Sequence, residues 1–516
     1  MYFLVFAAFA IVLSMPSGGL PWEVIETSWL TYGIAAGQVL LAGAVGWRFA
    51  RAVRNKLDRD PAWLPGAQRL FAQGGFALRA VLATGLISSI YLTDWVERVR
   101  SVKVLRSVYG LDELAVLVPF FAAILLGWVM LYPADKAIRR VHFDQQLRAG
   151  ILPRPIWRLG SYLSFMFRQH VLIIAVPMVP IVIANDAVYA HRARLVEWTH
   201  VLWGDQAVLV AVAGMVFLVA PLMLRYIWHT RVLPPGGLRE RLEDLCRRIG
   251  LTYRRILIWE SDGMVVNAAV MGLFRPVRYI LLSDGLLEMM DDRKIEAVFG
   301  HEAGHVKKRH IQYYMLFALL SMFIVGGIME LAIRAQAFWP GYFPPRAVFQ
   351  DYLQVAAMAL IVMVWGLGFG AVSRRFEWQA DLFGAQSVTP PASECDRPCI
   401  LHGTAMPFHP CDPGGGASDV SGKAGLSVVR GLPVCATAAA TFAEALHRIA
   451  DLNGIPIDAR SWRHSSIANR KQLLHRYAAD PRAAARLERS VLIIKGVLLI
   501  GTVIGLAVAS WLYWPT

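Results

Sequence analysis

The length of its apolar blocks constrains this chain more than any other feature. Hydrophobic residues arrive in runs near 2–17, 29–48, 77–93, 113–132, 168–189, 206–225, 312–333, 351–372 and 491–513. A hydrocarbon core about 30 Å thick takes roughly 20 helical residues to cross, and core strands and most core helices are shorter than that. The nine blocks therefore read as candidate membrane spans. The first has the alternative of a secretory leader, but it lacks a basic start and a clean small-x-small site before Gly18, so it is read as a span. Composition agrees: 56% of the 516 residues are hydrophobic and 17% charged, against about 25% charged in a soluble domain. A soluble globular enzyme is excluded. Disorder is excluded too, because 17 Trp, 24 Phe and 16 Tyr supply ample surface for burial.

The net charge of +15 raises the question of nucleic acid. Its distribution answers it. Lys and Arg gather at the ends of apolar blocks, as in Arg48, Arg51, Arg54, Lys56 and Arg59, and no basic stripe interleaved with aromatics occurs in a polar segment. No nucleic-acid partner is expected; the pattern is that of cytoplasmic flanks on a multi-pass protein. The loops carrying Arg51 to Arg69 and Lys136 to Arg158 read as cytoplasmic, while residues 18–28 carry no Lys or Arg. Nine spans then place residues 226–311 and 373–490 in the cytoplasm.

The expected organisation is a membrane region of six spans (1–227), a first polar half (228–311), a transmembrane hairpin (312–372), a second polar half (373–490) with a Cys/Gly/Pro-rich insert at 387–435, and a last span (491–516). In the first half an amphipathic helix is expected over Leu238–Gly250, with short strands at Ile256–Trp259, Met264–Val270 and Arg278–Leu282. A helix opened by Asp291 and Asp292 is expected to run through Glu296 and His301 towards the seventh span. The second half starts with a helix through Glu377 and Asp381, breaks at Thr389-Pro390-Pro391, and becomes helical again over Ala436–Leu452.

The chemistry lies in His301-Glu302-Ala303-Gly304-His305. Residues four apart on a helix are separated by about 40° in projection, so both imidazoles can share one metal, and Glu302 can reach a water on it. Zinc lowers the pKa of such a water towards ~7, and a carboxylate that takes its proton makes the nucleophile. A third ligand must come from elsewhere. His310 stands at the wrong spacing and reads as a membrane-interface residue. Glu377 and Asp381 are i and i+4 on one face, so that one can bind metal while the other orients a histidine. The antiparallel hairpin of spans seven and eight returns their helix to the membrane face of the first motif.

With these residues in view, the sequence resembles the membrane-embedded zinc metallopeptidases that include the CAAX prenyl endopeptidases and the HtpX heat-shock proteases. The matching pieces are Asn267-Ala268-Ala269, His301-Glu302-x-x-His305, and Ser373-Arg374-x-x-Glu377-x-x-Ala380-Asp381. The resemblance covers roughly residues 230–490. It implies a gluzincin: zinc on His301, His305 and Glu377, Glu302 as general base, and Asp381 behind the ligands. It further implies that an extended peptide pairs along the strand at Asn267, that His464 stabilises the oxyanion, and that Arg470 pairs with Asp381. Ser465 stands where that family usually has proline.

The expected fold is mainly α, polytopic, with a cytoplasmic zincin-like α+β metallopeptidase domain split by the hairpin. The expected protein is a zinc endopeptidase acting on polypeptides at the cytoplasmic face of a bilayer, a bacterial inner membrane, in quality control or processing of membrane proteins. The alternatives are a CAAX-type prenyl-protein endopeptidase and, in another class, a non-catalytic scaffold or transporter with a degenerate metal site. Glu330 and Arg334 read as a local pair, Lys495 as a snorkelling residue, and Cys246 as a buried helix residue. Cys395, Cys399, Cys411 and Cys435, with His402 and His409 among them, are a candidate second, structural zinc site.

Overall fold

A computed structural model describes residues 1–13, 25–148, 150, 156–199, 204–263, 265–403, 434–453, 455–459 and 463–513. By contact, the chain divides into two compact units, Met1–Thr230 with Trp259–Met264, and Arg231–Ile258 with Val265–Thr516.

The first unit is helical: α1 (Tyr2–Leu13), α2 (Ser28–Arg59), α3 (Leu64–Tyr91), α4 (Val118–Arg148), α5 (Ile173–Ala190, continuous with a helical run from Leu159) and α6 (Gly204–Ile227). Val5, Phe9, Leu78, Phe120 and Trp128 close its core. Prolines inside α4 (Pro133), α5 (Pro177 and Pro180) and α6 (Pro221) fall within apolar helices, where neighbouring helices can satisfy the backbone groups they free.

The second unit carries a four-stranded sheet in the order β1-β2-β4-β3, from β1 (Thr230–Val232), β2 (Arg255–Trp259), β3 (Ala268–Met271) and β4 (Tyr279–Ser283). Strands β3 and β4 pair antiparallel with Ala268 opposite Leu282 and Met271 opposite Tyr279, leaving β3 at the edge. Helix α7 (Gly237–Ile249) buries Leu242, Leu245, Cys246 and Ile249, an i, i+3, i+4, i+7 stripe. It ends at Gly250, whose φ of +62° suits glycine. Then follow α8 (Asp292–Lys307), α9 (His310–Phe338), α10 (Arg346–Met363), a π-helical turn (Val364–Phe369), α11 (Gly370–Ser387), α12 (Ala436–Asn453), α13 (Ile467–Ala479) and α14 (Pro481–Tyr513). One core, including Ile258, Ile280, Phe299, Phe376, Phe442 and Leu474, joins sheet and helices.

Among the described residues, seven helices are long and apolar enough to cross a membrane. They coincide with seven of the nine expected blocks, all but the first and the eighth. From the first block only α1 is described, 12 residues long, or about 18 Å at 1.5 Å per residue, short of a ~30 Å core. The eighth block falls in the run α10, π-turn and α11. The apolar windows of α9 and α14 are only 17% buried. Leu331, Leu492, Ile500 and Val503 stand exposed there, apolar side chains suited to lipid rather than water.

The helix expected through Glu296 and His301 is α8, and it ends just before the seventh span. Arg309 adopts φ +58°, so α8 ends at Lys307 and α9 starts afresh at His310. Helix α14 begins ten residues before the apolar block, because Leu487 and Val491 pack into the unit's core.

Candidate active site

Helix α8 starts at Asp291, whose side chain accepts from the Lys294 backbone N–H at 3.0 Å, an N-cap that satisfies an orphan donor. Its inward face buries Ile295, Val298, Phe299 and Ala303. Against it lies α11, and the contact is built on glycine. A Cβ on Gly384 would come within 2.9 Å of the His301 backbone nitrogen, and one on Gly300 would collide with the Ser387 hydroxyl. The close approach brings Glu377 and Asp381 opposite the two histidines.

His301 Nε2 lies 3.7 Å from Glu377 Oε2, His305 Nε2 lies 3.6 Å from Glu377 Oε1, and the two Nε2 atoms are 3.3 Å apart. Donors about 2.0–2.2 Å from a tetrahedral zinc are separated from each other by roughly 3.3–3.6 Å. The three side chains therefore fit one zinc in donor type, number and spacing. Both imidazoles present Nε2 because Nδ1 is engaged behind them: His301 Nδ1 is 2.9 Å from Asp381 Oδ1, and His305 Nδ1 is 2.9 Å from His310 Nδ1.

The support behind His305 forms a relay. Gln379 donates its amide to Glu488, which orients the amide so that its oxygen accepts from His310 Nε2 at 2.8 Å. With Nε2 carrying the proton, His310 Nδ1 must accept, so His305 Nδ1 donates and His305 Nε2 keeps a lone pair for a metal. Lys495 Nζ donates to the Lys308 carbonyl at 2.6 Å and lies 3.3 Å from the Gln379 oxygen, and Lys308 pairs with Glu488 at 2.8 Å. Phe376 stacks on the His310 ring at a centroid distance of 4.4 Å.

Two readings of the sequence are corrected here. His310 is fully buried rather than at an interface. In a continuous helix, residues five apart sit about 140° round and cannot meet; the break at Arg309 folds His310 onto His305. Lys495 is held by a helix-terminal carbonyl rather than reaching for water. Gln379 and Glu488 went unread, because nothing local in the sequence marks a partner 109 residues away.

Behind His301, the buried Arg470 holds both oxygens of the buried Asp381, with Nε at 2.8 Å from Oδ2. Burial opposes charge on both groups, but their attraction wins, lowering the Asp381 pKa and raising that of Arg470. Burial likewise disfavours a charged His301, yet Asp381 holds its pKa above the ordinary value. His305, buried beside His301, is lowered to about 4, which keeps it neutral and able to bind metal. Burial would raise Glu377, but the His464 hydrogen bond and the nearby histidines hold it well below the usual carboxylate range.

Glu302 is pushed up to about 7, mainly by burial, with the Val270 backbone N–H acting in opposition. That contact ties α8 to the edge strand. Because the Ser283 N–H donates to the Asn267 carbonyl at 3.0 Å, antiparallel alternation turns the backbone groups of Ala268 and Val270 towards the open edge. Asn267 directs its own N–H to the Ser283 hydroxyl and leaves its side chain exposed. His464 Nδ1 is 3.1 Å from Glu377 Oε2, with 46% of its side chain exposed. The structure thus gathers His301, Glu302, His305, Glu377, Asp381, His464 and Arg470 around one locus, with Asn267 beside the strand that contacts Glu302.

Elsewhere, Glu330 and Arg334 pair at 2.7 Å, and Cys246 is buried in α7. Cys395, Cys399 and Cys435 come together with His402; Cys411 and His409 lie outside the described residues.

Comparison with known proteins finds a family match over the part of the chain that holds His301, Glu302, His305, Glu377 and Asp381. Residues 234–410 match peptidase family M48. A protease HtpX homolog of Bordetella petrii is 27% identical over 186 residues, covering 33% of this chain and 60% of that protein. One of Tropheryma whipplei is 30% identical over 168 residues, covering 32% and 56%, and one of a Sulfurovum species is 31% identical over 146 residues, covering 28% and 50%. The chain thus spans half to three fifths of the length of these relatives. The crystal structure of Ste24p from S. mikatae aligns over 88% of this chain and 99% of that one, at 14% identity and a TM-score of 0.44. Residues 234–410 of this chain are thus similar to peptidase family M48, and the chain resembles the membrane metallopeptidases of the HtpX type.

Proposed function

We propose that this protein is an integral-membrane zinc endopeptidase that hydrolyses polypeptides beside the bilayer. The convergence of His301, His305 and Glu377 Oε/Nε2 atoms, with Glu302 adjacent on the same helix, carries the reading. The family match at residues 234–410 supports it.

Zinc on His301, His305 and Glu377 would supply Lewis-acid polarisation of the scissile carbonyl and an acidified water. Glu302 takes the proton of the attacking water and returns it to the departing amine nitrogen. Burial raises its pKa above the ordinary carboxylate value, the direction that helps a carboxylate take up a proton and hold it for return. Asp381, clamped by Arg470, fixes the orientation of His301; the relay through His310 does the same for His305. His464 stands at the rim of the site, where it donates to the developing oxyanion. An extended substrate adds to the open edge of β3 at Ala268, with the Asn267 side chain beside it.

The peptidase halves are 228–311 and 373–490, joined by the hairpin 312–372, with the six-span region 1–227 before them and the last span 491–516 after. The site faces the cytoplasm, as the Lys/Arg-rich loops after α2 and α4 indicate, and the membrane is a bacterial inner membrane. Quality control or processing of membrane proteins is the favoured role over CAAX cleavage, which requires prenylated substrates. Comparing cleavage of an unfolded membrane protein with that of a farnesylated peptide separates the two. Glu302→Gln should retain zinc and lose proteolysis by about 10²–10⁴-fold. Full activity in that variant would overturn the mechanism.

A further inference from the structure

We infer that Cys395, Cys399, His402 and Cys435 form a second metal site, a tetrahedral structural zinc separate from the catalytic centre. Each offers one donor atom, and the four atoms lie within 4.8 Å of one another. Cys395 Sγ is 3.7 Å from Cys435 Sγ, and Cys435 Sγ is 3.8 Å from His402 Nδ1.

Those distances distinguish the candidate chemistries. A disulfide requires its sulfurs about 2.05 Å apart, whereas Cys395 Sγ and Cys435 Sγ are 3.7 Å apart. Thiolates about 2.3 Å from one zinc are separated by roughly 3.75 Å, the edge of the tetrahedron. The donor set of three sulfurs and one imidazole is a zinc set, not one for a hard cation. The Ala436 backbone N–H donates to Cys399 Sγ at 3.4 Å.

The surroundings make a staple physically useful. Cys399 and Cys435 are 1% and 0% exposed, yet the cluster they form with Ala438 is a small one, apart from the main core. Such a cluster buries too little surface to fix two chain segments by itself. The four donors join the segment following α11 to the residue just before α12. Helix α12 places Phe442 against His301, with ring centroids 5.8 Å apart, so a metal at its start steadies the wall of the active site. Metal affinity here becomes folding free energy.

Of the cysteines and histidines that the sequence offers for this site, Cys395, Cys399, His402 and Cys435 are the ones brought together among the described residues. It also stands independently of the proposed peptidase activity, so each can fail alone. The test uses the full chain purified in detergent under reducing conditions, with metal measured by mass spectrometry. The wild type should hold two zinc ions, the His301→Ala/His305→Ala chain one, and that chain with Cys399→Ser and Cys435→Ser none. Because the cysteine variants can misfold, cobalt exchange into the His301→Ala/His305→Ala chain gives a second readout. It should show the near-ultraviolet thiolate-to-cobalt absorption that a two-histidine, one-glutamate site lacks. His402→Ala should weaken that band, and Cys411→Ser should leave it unchanged. Absence of metal and of the band in the His301→Ala/His305→Ala chain would overturn the inference, as would a Cys395–Cys435 disulfide in freshly isolated protein.

Discussion

His305 is prepared as a ligand by residues that never touch a metal. The Glu488 carboxylate fixes the Gln379 amide, the amide oxygen fixes the proton on His310, and His310 fixes the proton on His305. Replacing Gln379 with Leu keeps the volume roughly constant and removes the orienting oxygen. Zinc affinity should fall by about 10–100-fold, the usual cost of losing an outer partner of a metal ligand, as read by chelator competition. Unchanged affinity would show that His305 keeps its tautomer without the relay. Asp381→Asn acts on the other histidine and leaves Arg470 buried without its carboxylate. Breaking a buried pair on one side costs about 3–5 kcal/mol. Thermal unfolding should register that loss, and Asp381→Glu should restore only part of it because the longer arm displaces the bidentate contact.

Helices α8 and α11 meet along Gly300, Gly304 and Gly384, and this contact sets the distance between the histidines and Glu377. An added methyl at Gly384 presses on the His301 backbone, which cannot rotate away as a flexible side chain would. Gly384→Ala should therefore destabilise the unit by about 1–3 kcal/mol and weaken zinc binding together with it. A variant that loses neither would mean the helices can separate at no cost to the site. The break at Arg309 is the second decision at this scale. It turns one apolar helical pattern into two helices, and so lets His310 serve the site instead of the lipid face.

At the scale of the whole molecule, metal and fold should be coupled. Any ligand that binds the folded chain alone stabilises it, by about 2.7 kcal/mol at a free concentration a hundred times its Kd. Chelation should lower the unfolding temperature of the wild type, and the Glu302→Gln chain should show the same drop, since that residue is no ligand. A chelator with no effect on either chain would argue against both zinc sites. The long exposed apolar surfaces of α9 and α14 imply that these measurements hold only in detergent or bilayer, where that surface is covered.

The sequence by itself determined what is local or periodic. Block length marked the membrane helices, four-residue spacing put His301 with His305 and Glu377 with Asp381, and a 3.6-residue stripe located α7. Asp291 announced the start of α8, and Pro390 with Pro391 the end of α11. Tertiary structure alone decided which distant residues meet. Lys495 joins Lys308 across 187 positions, Gln379 joins His310 across 69, and His402 stands with Cys435. Such partners carry no periodic signature, because they are selected by how closely two helices approach and where one of them breaks. Glycines without side chains set the first and a single left-handed residue sets the second, and neither consequence shows until the chain is packed.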